Sequence, residues 1–177
     1  NTLITGGEIA RNGNLTAGTG ASFNTKDWDE EAAGDYLSWS ITVESGYQLD
    51  NLLLDIRLDR SGTGPSSLTL VWSDDGFSSS NTLASGIDPG EDGTSYLDLG
   101  GAFGTGIVGT IDFRLIGSGA TSSSGTMDLE PNEVGPGSSY GLFISGGVSA
   151  VPEPGTYGAL AGIMVLGFAF LRRRKPI

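Results

Sequence analysis

The chain contains neither histidine nor cysteine, so acid–base or metal chemistry near neutral pH would have to come from carboxylates. This excludes Ser-His-Asp and Cys-His nucleophiles, His-ligated metal sites and disulfides. One remaining chemistry is calcium binding, in which a hard cation takes about six to eight oxygens. Asp27, Asp29, Glu30, Glu31 and Asp35 crowd into the nine residues "DWDEEAAGD" and are the first candidate calcium ligands; Asp128 and Glu130 form a smaller group. That spacing matches no defined calcium loop, and a solvated acidic loop is the plainer account of it. Glycoside hydrolysis is the other, needing two acids at fixed separation, one with a raised pKa. Asp74-Asp75 offers a pair, but in an Asp-Asp-Gly turn, where Asp is expected to bond to nearby backbone. We expect no catalysis there. For sugar binding, exposed aromatics stack on pyranose rings while polar groups bond hydroxyls. Trp28, Tyr36 and Tyr96 are the candidates, because Trp28 lies outside the regular strands and the two tyrosines point outward.

The elements that would position these residues are strands. In "YLSWSITVE", Leu37, Trp39, Ile41 and Val43 share one face and Tyr36, Ser38, Ser40, Thr42 and Glu44 the other. "LLLDIRLDR" places Leu52, Leu54, Ile56 and Leu58 inward. "SLTLVWS" does the same with Leu68, Leu70 and Trp72, and "TIDFRLIG" with Ile111, Phe113 and Leu115. "YGLFISG" gives Tyr140, Leu142 and Ile144, and "TLIT", "EIARN", "NTLAS" and "YLDLG" are shorter candidates. Turn signals such as "SGTGP", Asp75-Gly76, Asp88-Pro89-Gly90 and Asp92-Gly93 separate them. Roughly seven to nine strands, each with one polar face, predict an all-β, antiparallel two-sheet sandwich over residues 1–150. Nothing before Thr156 predicts a long helix, although "DWDEEAAG" could form one turn capped by Asp27.

Charge divides the chain. Residues 1–151 carry 20 acidic and 5 basic side chains, net −15, while residues 152–177 carry one acid and four bases, net +3. The acidic body argues against nucleic-acid binding, which needs clustered Lys and Arg. Residues 156–171, "TYGALAGIMVLGFAFL", are uncharged and are followed by Arg172, Arg173, Arg174 and Lys175. Sixteen helical residues rise about 24 Å against a hydrocarbon core of about 30 Å. Snorkelling arginines and local thinning close that gap, so we expect a single C-terminal transmembrane helix with residues 172–177 as its basic cytoplasmic tail. Before it stands Val151-Pro152-Glu153-Pro154-Gly155, whose two prolines hold the chain extended with one carboxylate displayed between them. The chain opens on Asn1 without a Met or hydrophobic leader, which we read as a removed signal peptide or a fragment start.

Pro-Glu-Pro, then an apolar span, then an arginine cluster closely resembles the PEP-CTERM sorting signal of bacterial exported proteins, over residues 151–177. The resemblance implies recognition of residues 151–155 by an exosortase, a membrane-embedded cysteine protease-like enzyme. It makes Arg172 to Lys175 a stop-transfer cluster, and it implies bacteria that make exopolysaccharide or biofilm. The body resembles the jelly-roll ectodomain often found ahead of such tails, through "SGYQLDNLLLDIRLDRSGTGPSSLTLVWSDDGF" and "GTIDFRLIGSGATSSSGTMDL". It departs from that pattern by inserting "EPNEVGPGSS" (130–139) before the last strand. On this reading the chain is a non-enzymatic bacterial surface or exopolysaccharide-matrix protein. It is membrane-anchored with its domain outside, then processed to the cell surface or matrix. The alternative is a carbohydrate-binding, lectin-like module, with calcium as the only cofactor envisaged.

Overall fold

A computed structural model describes residues 3–20, 22–28, 34–90, 95–98, 106–130, 142–151 and 163–165. Among these residues twelve strands form: β1 (Ile4–Gly6), β2 (Ala10–Asn12), β3 (Thr16–Ala17), β4 (Phe23–Lys26), β5 (Tyr36–Val43), β6 (Tyr47–Arg60), β7 (Ser67–Ser73), β8 (Asn81–Ile87), β9 (Ser95–Asp98), β10 (Thr110–Ser118), β11 (Met127–Leu129) and β12 (Leu142–Ala150). All pairings are antiparallel, in two sheets. The first runs β1-β5-β10-β7-β8, with β2 also on β5; the second runs β12-β6-β11-β4-β3, with β9 on β6. The seven to nine strands expected become twelve because β3, β4 and β11 are too short to show an alternation of their own.

Period-two patterning fixes which face each strand buries. Leu37, Trp39, Ile41 and Val43 of β5 and Ile111, Phe113 and Leu115 of β10 point at Leu52, Leu54, Ile56 and Leu58 of β6, forming one core between the sheets. Each such side chain contributes roughly 1.5–3 kcal/mol through its removal from water. Leu49 is fully buried too, although it is out of phase with Leu52. The register with β12 explains this: Ser145 faces Leu53 but Gly147 faces Asp50, so β6 carries an extra residue, a bulge that turns both leucines inward. Trp39 stacks on Phe113 with ring centroids 5.4 Å apart, and Trp72 packs half-buried at the margin of the same core.

Two features seat the sheets on each other. Arg11 of β2 reaches across the edge of the sandwich to the second sheet. It donates to the Thr25 hydroxyl at 3.1 Å and the Asn24 carbonyl at 2.7 Å, with its guanidinium 3.8 Å over the Phe23 ring. The turn from β5 to β6 changes sheets at Glu44–Tyr47, closed by the Tyr47 N–H on the Glu44 carbonyl, with Gly46 at φ 86° in the position a type II turn reserves for glycine.

Tyr140, Pro152, Glu153, Pro154, Gly155 and Arg172 to Lys175 lie outside the described residues, as do all of 156–171 except a helical turn at 163–165. Among the described residues no helix is long and apolar enough to cross a membrane.

Candidate functional site: a cleft on the outer face of the first sheet

The outward side chains of β5, β10 and β7 are set by the same registers that build the core. Ser40 pairs with Asp112, Ser38 with Arg114, and Tyr36 with Ile116, while Arg114 and Asp112 pair on their other side with Val71 and Ser73. Of these, Tyr36, Ser38, Ser40, Asp112 and Arg114 line a cleft of about 240 Å³, together with Glu8 and Phe77 at its rim. That lies just below the ~300–1,000 Å³ of drug-sized pockets and suits one ring of a longer ligand.

A local irregularity supplies each rim residue. Between Gly6, opposite Ile41, and Ala10, opposite Ser38, the edge strand has one residue more than β5, so Glu8 sits on a bulge beside the cleft. Phe77 belongs to a turn built on Asp75. Its carboxylate accepts from the Ser73 hydroxyl at 2.6 Å, the Ser79 N–H at 3.0 Å and the Ser79 hydroxyl at 2.7 Å, while the Ser73 hydroxyl accepts from the Phe77 N–H at 2.9 Å. The Ser73 hydroxyl and then the Ser79 donors hold the Asp75 carboxyl down to about 2. Asp75 is therefore a turn builder and the reverse of a general acid, as its Asp-Asp-Gly setting predicted. Within that turn Phe77 takes φ 66°, a left-handed backbone that is rare for so bulky a residue.

The outcome is a guanidinium packed against two rings. Arg114 lies 3.7 Å from the Phe77 ring centroid and 4.5 Å from that of Tyr36. Arg11 spends its donors on the second sheet, and Arg60 lies 3.8 Å from Asp88. Among the described residues, the Arg114 side chain has these two ring contacts and no hydrogen bond or ion pair. Its flat fork of N–H donors is thus pre-oriented and uncommitted.

The residues singled out in the sequence fare differently. Tyr36 is half-buried and lines this cleft. Trp28 is a correction: it is 2% exposed, its indole N–H donates to the Thr25 carbonyl at 3.1 Å, and its ring lies against Gly117 of β10. Standing outside a regular strand did not expose it, because the chain leaving β4 folds it over the end of the core. Tyr96 sits on β9, opposite Arg57 in the second sheet, whereas Tyr36 sits on β5 of the first. Arg114, Phe77, Glu8 and Asp112 were missed. The outward place of Arg114 was readable from alternation, but its meeting with Phe77 depends on the loop that follows β7.

Of the acidic loop's carboxylates, only Asp27 and Asp35 fall among the described residues. Asp29, Glu30 and Glu31 lie outside the described residues. Asp27 accepts from the Thr16 hydroxyl, and Asp35 is buried and accepts from the Asn14 N–H at 2.7 Å. Asp27 at φ 65° is left-handed, where a helix N-cap is extended, so the expected cap is corrected as well. Among the described residues, Asp59, Asp128 and Glu130 converge, with ligand oxygens within 4.8 Å of one another. Asp59 faces Asp128 directly across β6 and β11. Burial first, then the charges of Glu130 and Asp59, push the Asp128 carboxyl up to about 6. All three donors are of the type a hard cation takes, but they are only three against the six to eight of calcium.

No family model and no curated protein matches this chain. Among solved structures it is similar to a "xylan-binding module CBM15", with a TM-score of 0.38 and 9% identity over 83% of this chain and 99% of that one, a likeness too slight to bear on ligand or activity.

Proposed function

We propose that this chain is a non-catalytic bacterial surface or matrix protein whose β-sandwich binds carbohydrate in the cleft between Tyr36, Arg114 and Phe77. One observation carries the binding reading: the Arg114 guanidinium lies over two rings, 3.7 Å and 4.5 Å from their centroids, with its N–H donors unspent. That packing removes much of the side-chain entropy that a free arginine would lose on meeting a ligand. Asp112, Glu8, Ser38 and Ser40 add acceptors and hydroxyls around the same space. Sugars need this mixture of ring faces and polar groups. The surface destination rests on the sequence: the jelly-roll-like pattern of the body, the Pro-Glu-Pro motif at 152–154, the apolar span at 156–171 as a transmembrane anchor, and the basic cluster after it. An exosortase would act at that motif.

The test is a polysaccharide panel, with and without calcium, using full-length chain in a detergent lacking a sugar headgroup. Saturable binding to at least one glycan, weakened roughly tenfold or more in Arg114→Met, is the expected result, since tenfold equals about 1.4 kcal/mol. A blank panel would contradict the binding reading and leave a purely structural surface role.

A further inference from the structure

Resting on the carbohydrate-binding reading, we propose that the cleft selects neutral pyranoses over their uronic-acid counterparts, and that Phe77 is a specificity-determining residue kept in a strained backbone for that purpose. The selection follows from donor and acceptor arithmetic. Glu8 and Asp112 offer carboxylate acceptors, and Arg114 is a pure donor. A hydroxyl both donates and accepts, so a polyol ring satisfies all three, with adjacent oxygens on the Arg114 fork and O–H donors toward the carboxylates. A uronate carboxylate satisfies Arg114 alone and brings a third negative charge beside Glu8 and Asp112. The surrounding body, at net −15 over residues 1–151, adds repulsion of the same sign.

Phe77 carries the second part. Its turn already contains Gly76 at φ 69°, and a glycine would serve at position 77 without steric cost, because a left-handed backbone is unfavourable for side chains bearing a Cβ. The turn's hydrogen bonds use the backbone N–H of Phe77 and not its ring. The ring is half-exposed and its described contact is with the Arg114 guanidinium at 3.7 Å. The side chain that strains the backbone is thus the one packed against the ligand-facing fork. Strain retained at such a place is a mark of function.

The experiment compares matched hexasaccharides that differ only at C6: glucose with glucuronate, mannose with mannuronate, galactose with galacturonate. Wild type and Phe77→Gly, both full length, are titrated with each pair, and thermal unfolding is followed in parallel. We expect at least one neutral member to bind roughly tenfold or more tighter than its uronate partner. We also expect Phe77→Gly to lose roughly tenfold or more of that affinity while unfolding at the same or a higher temperature. A uronate binding as tightly as its neutral partner, or Phe77→Gly binding like wild type, overturns the inference while leaving carbohydrate binding intact. Failure of wild type to bind any neutral or acidic member removes the underlying reading, and this inference with it.

Discussion

At Asp128 the charged form is opposed by burial and by two neighbouring carboxylates, whereas in the unfolded chain its value returns to about 3.8. The folded protein therefore holds a proton there that the unfolded chain releases. The resulting stabilisation is complete below about pH 3.8 and is lost as pH rises through about 6. Asp128→Asn removes the titration, so we expect the variant to gain stability relative to wild type as pH increases from about 4 to about 6. Denaturant melts at several pH values measure this; a difference between the two proteins that does not change with pH would contradict it. Sequence made Asp128 and Glu130 visible as an acidic group, but not their third partner. Asp59 lies 69 positions before Asp128 and meets it only through the pairing of β6 with β11. Trp28 shows the opposite limit: no local pattern around it signals burial, because the neighbour that covers it, Gly117, belongs to the other sheet.

Among the elements, long strands were legible and their junctions were not. β5, β6 and β10 bury the residues their alternation named, and β7 buries Leu68 and Leu70 but leaves Trp72 half-buried; a one-residue slip would turn every leucine to solvent. The bulges at Glu8 and in β6 leave no signature in single-sequence periodicity, since each depends on the strand opposite. The contact of Trp28 with β10 offers a clean test. A Cβ added at Gly117 would stand 2.6 Å from the Trp28 ring and 3.1 Å from Pro65, leaving a rigid indole no easy retreat. Gly117→Ala should cost about 1–3 kcal/mol through overpacking, read as a lowered midpoint in denaturant. A midpoint equal to wild type would show that Trp28 is not held against β10. The element leading to the tail is clamped from outside the core: the Ser149 hydroxyl of β12 donates to Asp50 at 2.6 Å, and the Gly106 N–H donates to the same carboxylate at 3.1 Å. These bonds, the Ser149 hydroxyl foremost, hold the Asp50 carboxyl below its usual range. The last hydrogen bond of the body, from the Val151 N–H to the Gly46 carbonyl at 2.8 Å, stands directly before Pro152.

For the molecule as a whole, the acidic body and basic tail define the proposed route: a sandwich displayed outside the membrane, then released or re-anchored by processing beside residue 152. In the native host, Pro152→Ala combined with Glu153→Ala should leave the chain in the membrane fraction at unprocessed size, and processing that continues unchanged would contradict the sorting reading. The sandwich class was legible at this scale because binary patterning decides it, while the cleft was not, because it needs a strand, an edge bulge and a loop brought together in space. The central claim is that this outward cleft is where carbohydrate meets the protein. The most direct measurement is an NMR titration of the isotope-labelled full-length chain, in detergent without a sugar headgroup, with the best glycan from the panel. Our account predicts saturable shift changes concentrated at Tyr36, Ser38, Phe77, Asp112 and Arg114. Saturable changes that fall instead on the second sheet, around Arg57 and β9, would contradict it.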